Sequence, residues 1–461
     1  MSETGLARAR AKMTEAGVAP TAIEVFSHYY GQLEEGATGL MPEDSIEPLT
    51  EVARAADLRV DSAVAREAMS RTVILKLNGG LGTSMGMARA KSLLPVRGGR
   101  SFLDIVVAQV RAARTEFGVQ LPLVFMNSFR THEDTLAALA HYEDLPVGDL
   151  PLGFVQSQEP KLLADSLEPA TWDADPSLEW CPPGHGDLYP SLLSSGILDQ
   201  LVDAGFRYAS VSNSDNLGTL PSAQLAGWFA TSGAPYAAEV CARTAADRKG
   251  GHLAVRRADG RIVLRETAQT SEEDMAHFTD EARHRFFHTN NLWFDLVALR
   301  DVLREREGVL RLPLIRNTKT VDPADPTSPE VFQIETAMGA AIEVFEGATA
   351  IEVPRSRFLP VKTTNDLLVL SSDVYTEGAD GSLTATADAP LVDLDPAHYK
   401  LIDGFTARFP DGAPSLRGAT SLTVRGNWTF EPGVVVTGDA VLHAPADAEA
   451  GTVPAGTRLE G

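Results

Sequence analysis

The stretch LKLNGGLGTSMGMARAKS, Leu75 to Ser92, decides how the rest of the chain is read. It starts inside TVILKL, Thr72 to Leu77, a β-branched apolar run that stops at Asn78-Gly79-Gly80 and predicts a strand buried on both faces. A glycine turn at the tip of such a strand has the outline of a phosphate loop. Gly79, Gly80, Gly82 and Gly86 permit positive φ and close backbone approach, so that successive N–H groups can point at one anion. Lys91 adds a full positive charge. Two common loops are excluded. A Walker loop fails because Ala90 precedes Lys91-Ser92 and no glycine stands where that loop would begin. The dinucleotide fingerprint fails because Gly86 comes one residue too late after Gly80-x-Gly82.

Beyond the loop, Ser101 to Phe117 has helical spacing, with Phe102, Ile105, Val106, Val110, Ala113 and Phe117 near one face, Ser101 and Asp104 at its start and Gly118 at its end. The apolar run Leu121 to Met126 then completes a βαβ unit. Further strands are expected at Gly153 to Gln156, Tyr208 to Ser212 and Tyr236 to Ala242, with helical stretches between them such as Leu192 to Ala204. This alternation predicts a doubly wound α/β fold on a mixed, mainly parallel sheet, with ligands at the strand carboxyl ends. Residues 1–70 read as amphipathic helices packed on the main domain, for example through Ile23, Phe26, Tyr29, Tyr30 and Leu33. The catalytic unit is expected over 71–373. A β-rich domain is expected over 374–461: TEGADGSLTATADAP (376–390) is turn-rich, and from Ser421 onward short Val-rich runs alternate with Gly, Pro and Asp, which suits the coils of a β-helix; an ordinary β-meander is the alternative.

With 40 basic and 63 acidic residues among 461, the net charge is −23. Such a surface repels polyanions, so nucleic acid is not an expected partner and any phosphate site must be a local positive island. Cys181 and Cys241 are the only cysteines, which suggests a reducing compartment. No run approaches the roughly 18 apolar residues of a membrane span, and MSETGLARARAKM lacks a leader's apolar core; a cytoplasmic protein is expected.

LNGGLGTSMG followed by KS resembles the signature of the eukaryotic-type UTP:glucose-1-phosphate uridylyltransferases, the UDP-glucose pyrophosphorylases. The resemblance recurs in order in LPLVFMNSFRTHEDT (121–135), PPGHGDLY (182–189), VSNSDNLG (211–218), KGG (249–251), HTNNLWF (288–294), IETAMGAAI (334–342) and VPRSRFLPVKTTNDLL (353–368). It implies a Rossmann-like nucleotidyltransferase fold with a C-terminal left-handed β-helix-like domain. The implied activity is magnesium-dependent, reversible transfer of UMP from UTP to glucose 1-phosphate, giving UDP-glucose and pyrophosphate. Galactose or N-acetylglucosamine 1-phosphate as the acceptor, or a non-catalytic nucleotide-sugar sensor, are the alternatives. The family also implies a homo-oligomer through the C-terminal domain, against which the short C-terminal part of this chain argues.

By this resemblance Lys91 contacts the triphosphate and Lys362 stabilises the transferred group; a solvated surface lysine is the bland alternative for each. Asp215, directly after a strand, is the expected Mg2+ ligand, with an Asx turn as the bland reading. Leu77, Asn78, Gly79, Gly80, Gly82, Gly184, Asn213 and Ser214 are expected at the nucleotide. Gln156 corresponds to a glutamine reading the uracil edge, and its amide both donates and accepts as uracil requires. His185, Gly250, Gly251, Asn290 and Asn291 are expected at the sugar phosphate. One departure stands in the loop: the family's Gly-Pro before the lysine is Arg89-Ala90 here, which removes a rigid turn and adds a charge that could meet phosphate.

Overall fold

The computed structural model describes residues 3–244, 247–248, 250–443 and 450–461. Its centre is a sheet whose main path runs β1 (Ala53–Arg54), β8 (Thr349–Glu352), β6 (Tyr236–Ala242), β7 (Phe286–Asp295), β5 (Tyr208–Asn213), β2 (Thr72–Asn78), β3 (Leu123–Asn127) and β4 (Gly153–Val155). Only β7 runs antiparallel to its neighbours on this path. The expected mixed, mainly parallel sheet is therefore present. The order reverses at β2: β3 and β4 lie on one side, and β5 to β8 on the other. In an open α/β sheet such a reversal opens a crevice at the strand carboxyl ends.

Every residue of β2 is buried. Alternation sends Val73, Leu75 and Leu77 into one core, with Leu198, Leu201 and Leu299, and Ile74 into the other, with Val106, Phe229 and Trp293. The helix Phe102–Phe117 carries the predicted capping box of Ser101 and Asp104 and ends at left-handed Gly118. Leu192 to Ala204 is split: helices Leu188–Ser194 and Ile197–Asp203 meet at Gly196, whose φ of 76° neither helix continues.

The N-terminal reading needs correction. Helices Glu3–Glu15, Pro20–Glu34 and Ser62–Ser70 form, but Ile46–Pro48 and Ala53–Arg54 between them are strands that join the central sheet. Gly36, Gly39, Pro42 and Pro48 break the helical pattern there and free the backbone to pair.

At the other end, Leu391–Leu394, Ser415–Arg425, Val435–His443 and Arg458–Glu460 pair in that order, and Trp428–Phe430 pairs with Gly451–Val453. All of these pairings are parallel, whereas a meander would be antiparallel. Their inward residues Leu394, Leu422, Val424, Val436 and Val453 belong to the same core cluster as Ile74 and Val106. No helix among the described residues is long and apolar enough to cross a membrane.

Candidate active site

The carboxyl ends of β2, β3 and β5 are level, with Asn78 opposite Asn127 and Leu77 opposite Asn213. Above them a cleft of about 450 Å³ is lined by the glycine turn, Lys91, Gln156, Gly184, His185, Asn213, Ser214 and Asp215, with Leu77 and Met126 at its base. Most residues expected at the nucleotide thus meet in one place. Leu81, Thr83 and Pro182 also line it, and nothing in their spacing announced them.

The turn is built differently from the simplest glycine reading. Gly82 and Gly86 take left-handed φ of 62° and 74°, and Gly82 O accepts from Met85 N–H at 2.8 Å. Gly79 and Gly80 are not among the glycines with positive φ. Gly79 serves by close approach: a Cβ there would lie 2.8 Å from Gln156 Nε2. The buried Gln156 amide lies under the turn, and its side chain makes no hydrogen bond to any described residue.

Lys91 closes the turn, its N–H donating to Gly80 O at 3.0 Å. Its Nζ lies 2.5 Å from Asp215 Oδ2 and also donates to the carbonyl of Val361, the residue before Lys362. Both side chains are mostly buried, at 16% and 19% exposed. The loop, the β5 turn and the Lys362 segment therefore converge on one ammonium. Ala90 holds φ −53° and ψ 129°, the conformation a proline would impose, so the shape of the turn survives the missing Pro. Arg89 is exposed and does not line the cleft.

Asn78 lies below the cleft instead of in it. Its Nδ2 donates to Asn127 Oδ1 and Thr135 Oγ1 at 2.8 and 2.9 Å, and its Oδ1 accepts from Ser214 Oγ at 2.9 Å. With every polar atom committed and 2% exposure, it rivets three strand ends together.

Gly184 takes φ 79° and ψ 179°, and a Cβ there would lie 2.7 Å from Thr336 O. The turn so formed presents His185 to the cleft. Burial pulls the imidazole down to about 4, so it is neutral. Its Nδ1 accepts from Met338 N–H at 2.9 Å, which puts the proton on Nε2 as a donor. His288, also lowered to about 4 by burial and by His185, links this turn to Asn290 through a 3.1 Å contact of its Nδ1 with Asn290 Oδ1. Asn290 stands at φ 59° beside a register shift in the β6–β7 pairing.

The remaining sugar-side candidates divide. Lys249 of the KGG motif lies outside the described residues. Gly250 packs on Phe287, where a Cβ would clash at 2.0 Å. A Cβ on Gly251 would meet the Glu266 carboxylate at 2.6 Å. Sequence reasoning missed Glu266, which has no motif around it. Burial raises its carboxyl to about 7, and the charge of Lys362 pulls the other way. Lys362 itself is exposed, its N–H capped by Asp366 Oδ2 at 2.8 Å. Asn291 is 1% exposed, and its amide is spent on Glu239, Asn216 and the Arg357 carbonyl. The expected sugar contact by Asn291 therefore gives way to an internal role.

Lys76 stands unannounced inside the apolar run TVILKL. It is 1% exposed, donates to Ser212 Oγ at 2.7 Å, and burial lowers it to about 7.

The model of the UTP–glucose-1-phosphate uridylyltransferase family matches residues 23–437. The chain belongs to that family. The UTP–glucose-1-phosphate uridylyltransferase of Solanum tuberosum is 38% identical over 411 residues, covering 88% of this chain and 82% of the relative. That of Hordeum vulgare is 39% identical over 398 residues, covering 85% and 81%. Among solved structures, a point mutant of UDP-glucose pyrophosphorylase from Leishmania major in complex with UDP-glucose is 41% identical, covers 99% of this chain and 98% of its own, and superposes with a TM-score of 0.90.

Proposed function

We propose that this member of the uridylyltransferase family carries out the family's reaction at the cleft above β2, with UTP and glucose 1-phosphate as substrates and UDP-glucose and pyrophosphate as products. The carrying observation is the convergence of Lys91, Asp215 and the Lys362 segment at the mouth of a glycine turn on a topological switch point. An oxygen of the sugar 1-phosphate forms a bond to the α-phosphorus of UTP, and the bond to the bridging oxygen breaks to release pyrophosphate. Attacker and target are both anions, so the site's task is to neutralise and align them. Lys91 supports the triphosphate and Lys362 the transferred phosphoryl oxygens. Neutral His185 donates through Nε2, which suits a phosphate or hydroxyl oxygen. Gln156 supports recognition of uracil, and Gly251, Glu266 and Asn290 form the side suited to sugar hydroxyls.

Mg2+ would be held through Asp215, among the described residues the one carboxylate lining the cleft, whose Oδ2 is paired with Lys91 in this structure, with phosphate oxygens and water to complete a hard-oxygen shell. When bound, the ion supplies charge neutralisation between the phosphates. The buried, unpaired thiols of Cys181 and Cys241 support a cytoplasmic setting, and the parallel C-terminal pairings support a β-helix-like reading of 374–461.

Pyrophosphate release tests the assignment, with UTP and Mg2+ against glucose, galactose, N-acetylglucosamine and mannose 1-phosphates. Preference for glucose 1-phosphate is expected. Release only with another sugar would move the substrate and keep the chemistry, and no release with any would leave a sensor.

A further inference from the structure

Four adjacent strands carry buried polar side chains at one level of one sheet face. Lys76 on β2 is paired with Ser212 on β5, and Asn291 on β7 is paired with Glu239 on β6. The same face carries Ile74, Trp293, Ala237 and Cys241 into the core. Glu239 is fully buried, and each of its oxygens is used: Oε1 accepts from Trp293 Nε1 at 2.9 Å, and Oε2 from Asn291 Nδ2 at 3.2 Å. The Arg357 guanidinium lies across both oxygens, Nε to Oε2 at 2.8 Å and Nη2 to Oε1 at 2.9 Å. Its Nη1 donates to Leu220 O at 2.9 Å.

Arg357 belongs to the segment that leads into Lys362, and the rest of that segment is fastened to the same row. The Arg357 carbonyl accepts from Asn216 Nδ2 and Asn291 Nδ2, at 3.1 and 3.3 Å. Leu359 N–H donates to Asn216 Oδ1 at 2.9 Å, and Pro360 forms a bridge with Asn216. Asn216 follows Asp215 directly, so one short turn presents the carboxylate to the cleft and holds the strap that delivers the lysine.

A buried ion pair seldom adds net stability, because desolvation of both charges offsets their attraction. What a two-point guanidinium–carboxylate contact adds is geometry. We infer that the Glu239–Arg357 pair is a positioning device that fixes residues 357–362 on the sheet, and with them Lys362, at the height of the Asp215 turn. Neither residue lines the cleft, so both act through Lys362 and not on the substrate. This inference rests on the assignment of Lys362 made above.

The test is a double-mutant cycle in the full-length protein. Glu239→Gln keeps the shape and removes the charge; Lys362→Ala removes the ammonium; both are measured singly and together for kcat and for KM of UTP and glucose 1-phosphate. The expected result is that Glu239→Gln lowers kcat by on the order of tenfold or more with KM for UTP changed by less than about threefold. Lys362→Ala should then cost at least about ten times less in the Glu239→Gln background than in the parent, because a displaced lysine has little left to lose. A merely structural role gives independent costs that multiply, and that result overturns the inference, as does a folded Glu239→Gln with kcat within twofold of the parent. If Glu239→Gln does not fold, Arg357→Lys, which keeps the charge and loses the two-point contact, goes through the same cycle under the same criteria. A neutral Lys362→Ala in the parent would instead sink the assignment of the lysine itself.

Discussion

At the scale of single residues, the cleft assigns different work to groups of the same type. Lys91 is held by an acid and a carbonyl, Lys76 is sealed beneath the sheet, and Lys362 is exposed with Glu266 in electrostatic reach. Only the last is free to follow a charge that develops during reaction. Lys362→Ala should therefore lower kcat by about 10² to 10³, the scale of a lost transition-state donor, which steady-state kinetics at saturating UTP would read. Activity within a few-fold of the parent would remove the residue from the chemistry. Glu266 makes a second prediction, through stability. Its carboxyl titrates at about 7 in the folded chain against an ordinary 4.5, so the folded form holds the proton more tightly. That contribution is fully present below pH 4.5 and is lost as pH rises through about 7. Glu266→Gln should thus gain stability relative to the parent across that window, seen as a difference in melting temperature that grows from pH 4.5 to 7 and then levels. A constant difference would place the carboxyl outside this titration.

At the scale of elements, the strands and turns show which features sequence could reveal. The β2 strand, the capped helix after it and the glycine turn were legible because each is fixed by local chemistry: a β-branched apolar run, Ser101 with Asp104 and Gly118 at the helix ends, and Gly82 and Gly86 in the turn. The strands within 1–70 were not, since two or three residues carry no period and exist only because a sheet edge accepts them. The Glu239–Arg357 pair was hidden for a related reason: the two residues lie far apart in sequence, and a Glu in a strand looks like any solvated charge. Asn78 and Asn291 were found as motif members but misplaced, because sequence locates an amide near a site without saying which way it faces. Two turns make predictions. Gly184→Ala imposes a Cβ on a conformation open only to glycine and sets it 2.7 Å from a carbonyl oxygen. It should destabilise by about 1–3 kcal/mol or more and displace His185, so that denaturant unfolding and kcat/KM fall together. Ala90→Pro should do the reverse. Its φ already suits proline, and a rise of about 0.4–1 kcal/mol is expected, with Arg89 left exposed and turnover unchanged. A loss of stability there would mean that the buried Ala90 site has no room for the ring.

At the scale of the whole molecule, the question is whether 374–461 is a separate body or part of the catalytic core. The boundary is crossed by specific bonds. Arg97 donates to the carbonyls of Leu370, Ser372 and Tyr375 at 2.7 to 2.8 Å, so one guanidinium spans the junction. Gln109 Nε2, buried in the helix after the glycine turn, donates to Leu217 O at 2.9 Å and Gly381 O at 3.0 Å. Asp373 takes hydrogen bonds from Ser415 and from the backbone of Leu416 and Arg417. The apolar cluster that covers one face of β2 continues without a break into Tyr399, Phe409, Leu422 and Val436. Removal of the last segment would therefore uncover that cluster and leave Gln109 and Arg97 with lost partners, each a cost of about 1–3 kcal/mol beyond the apolar area exposed. The full chain should melt in a single calorimetric transition, and a chain cut after Asp373 should melt at a lower temperature or aggregate. Two resolved transitions in the full chain, with the upper one surviving the cut unchanged, would show that the C-terminal strands fold on their own account and that the shared core contributes little to holding the cleft.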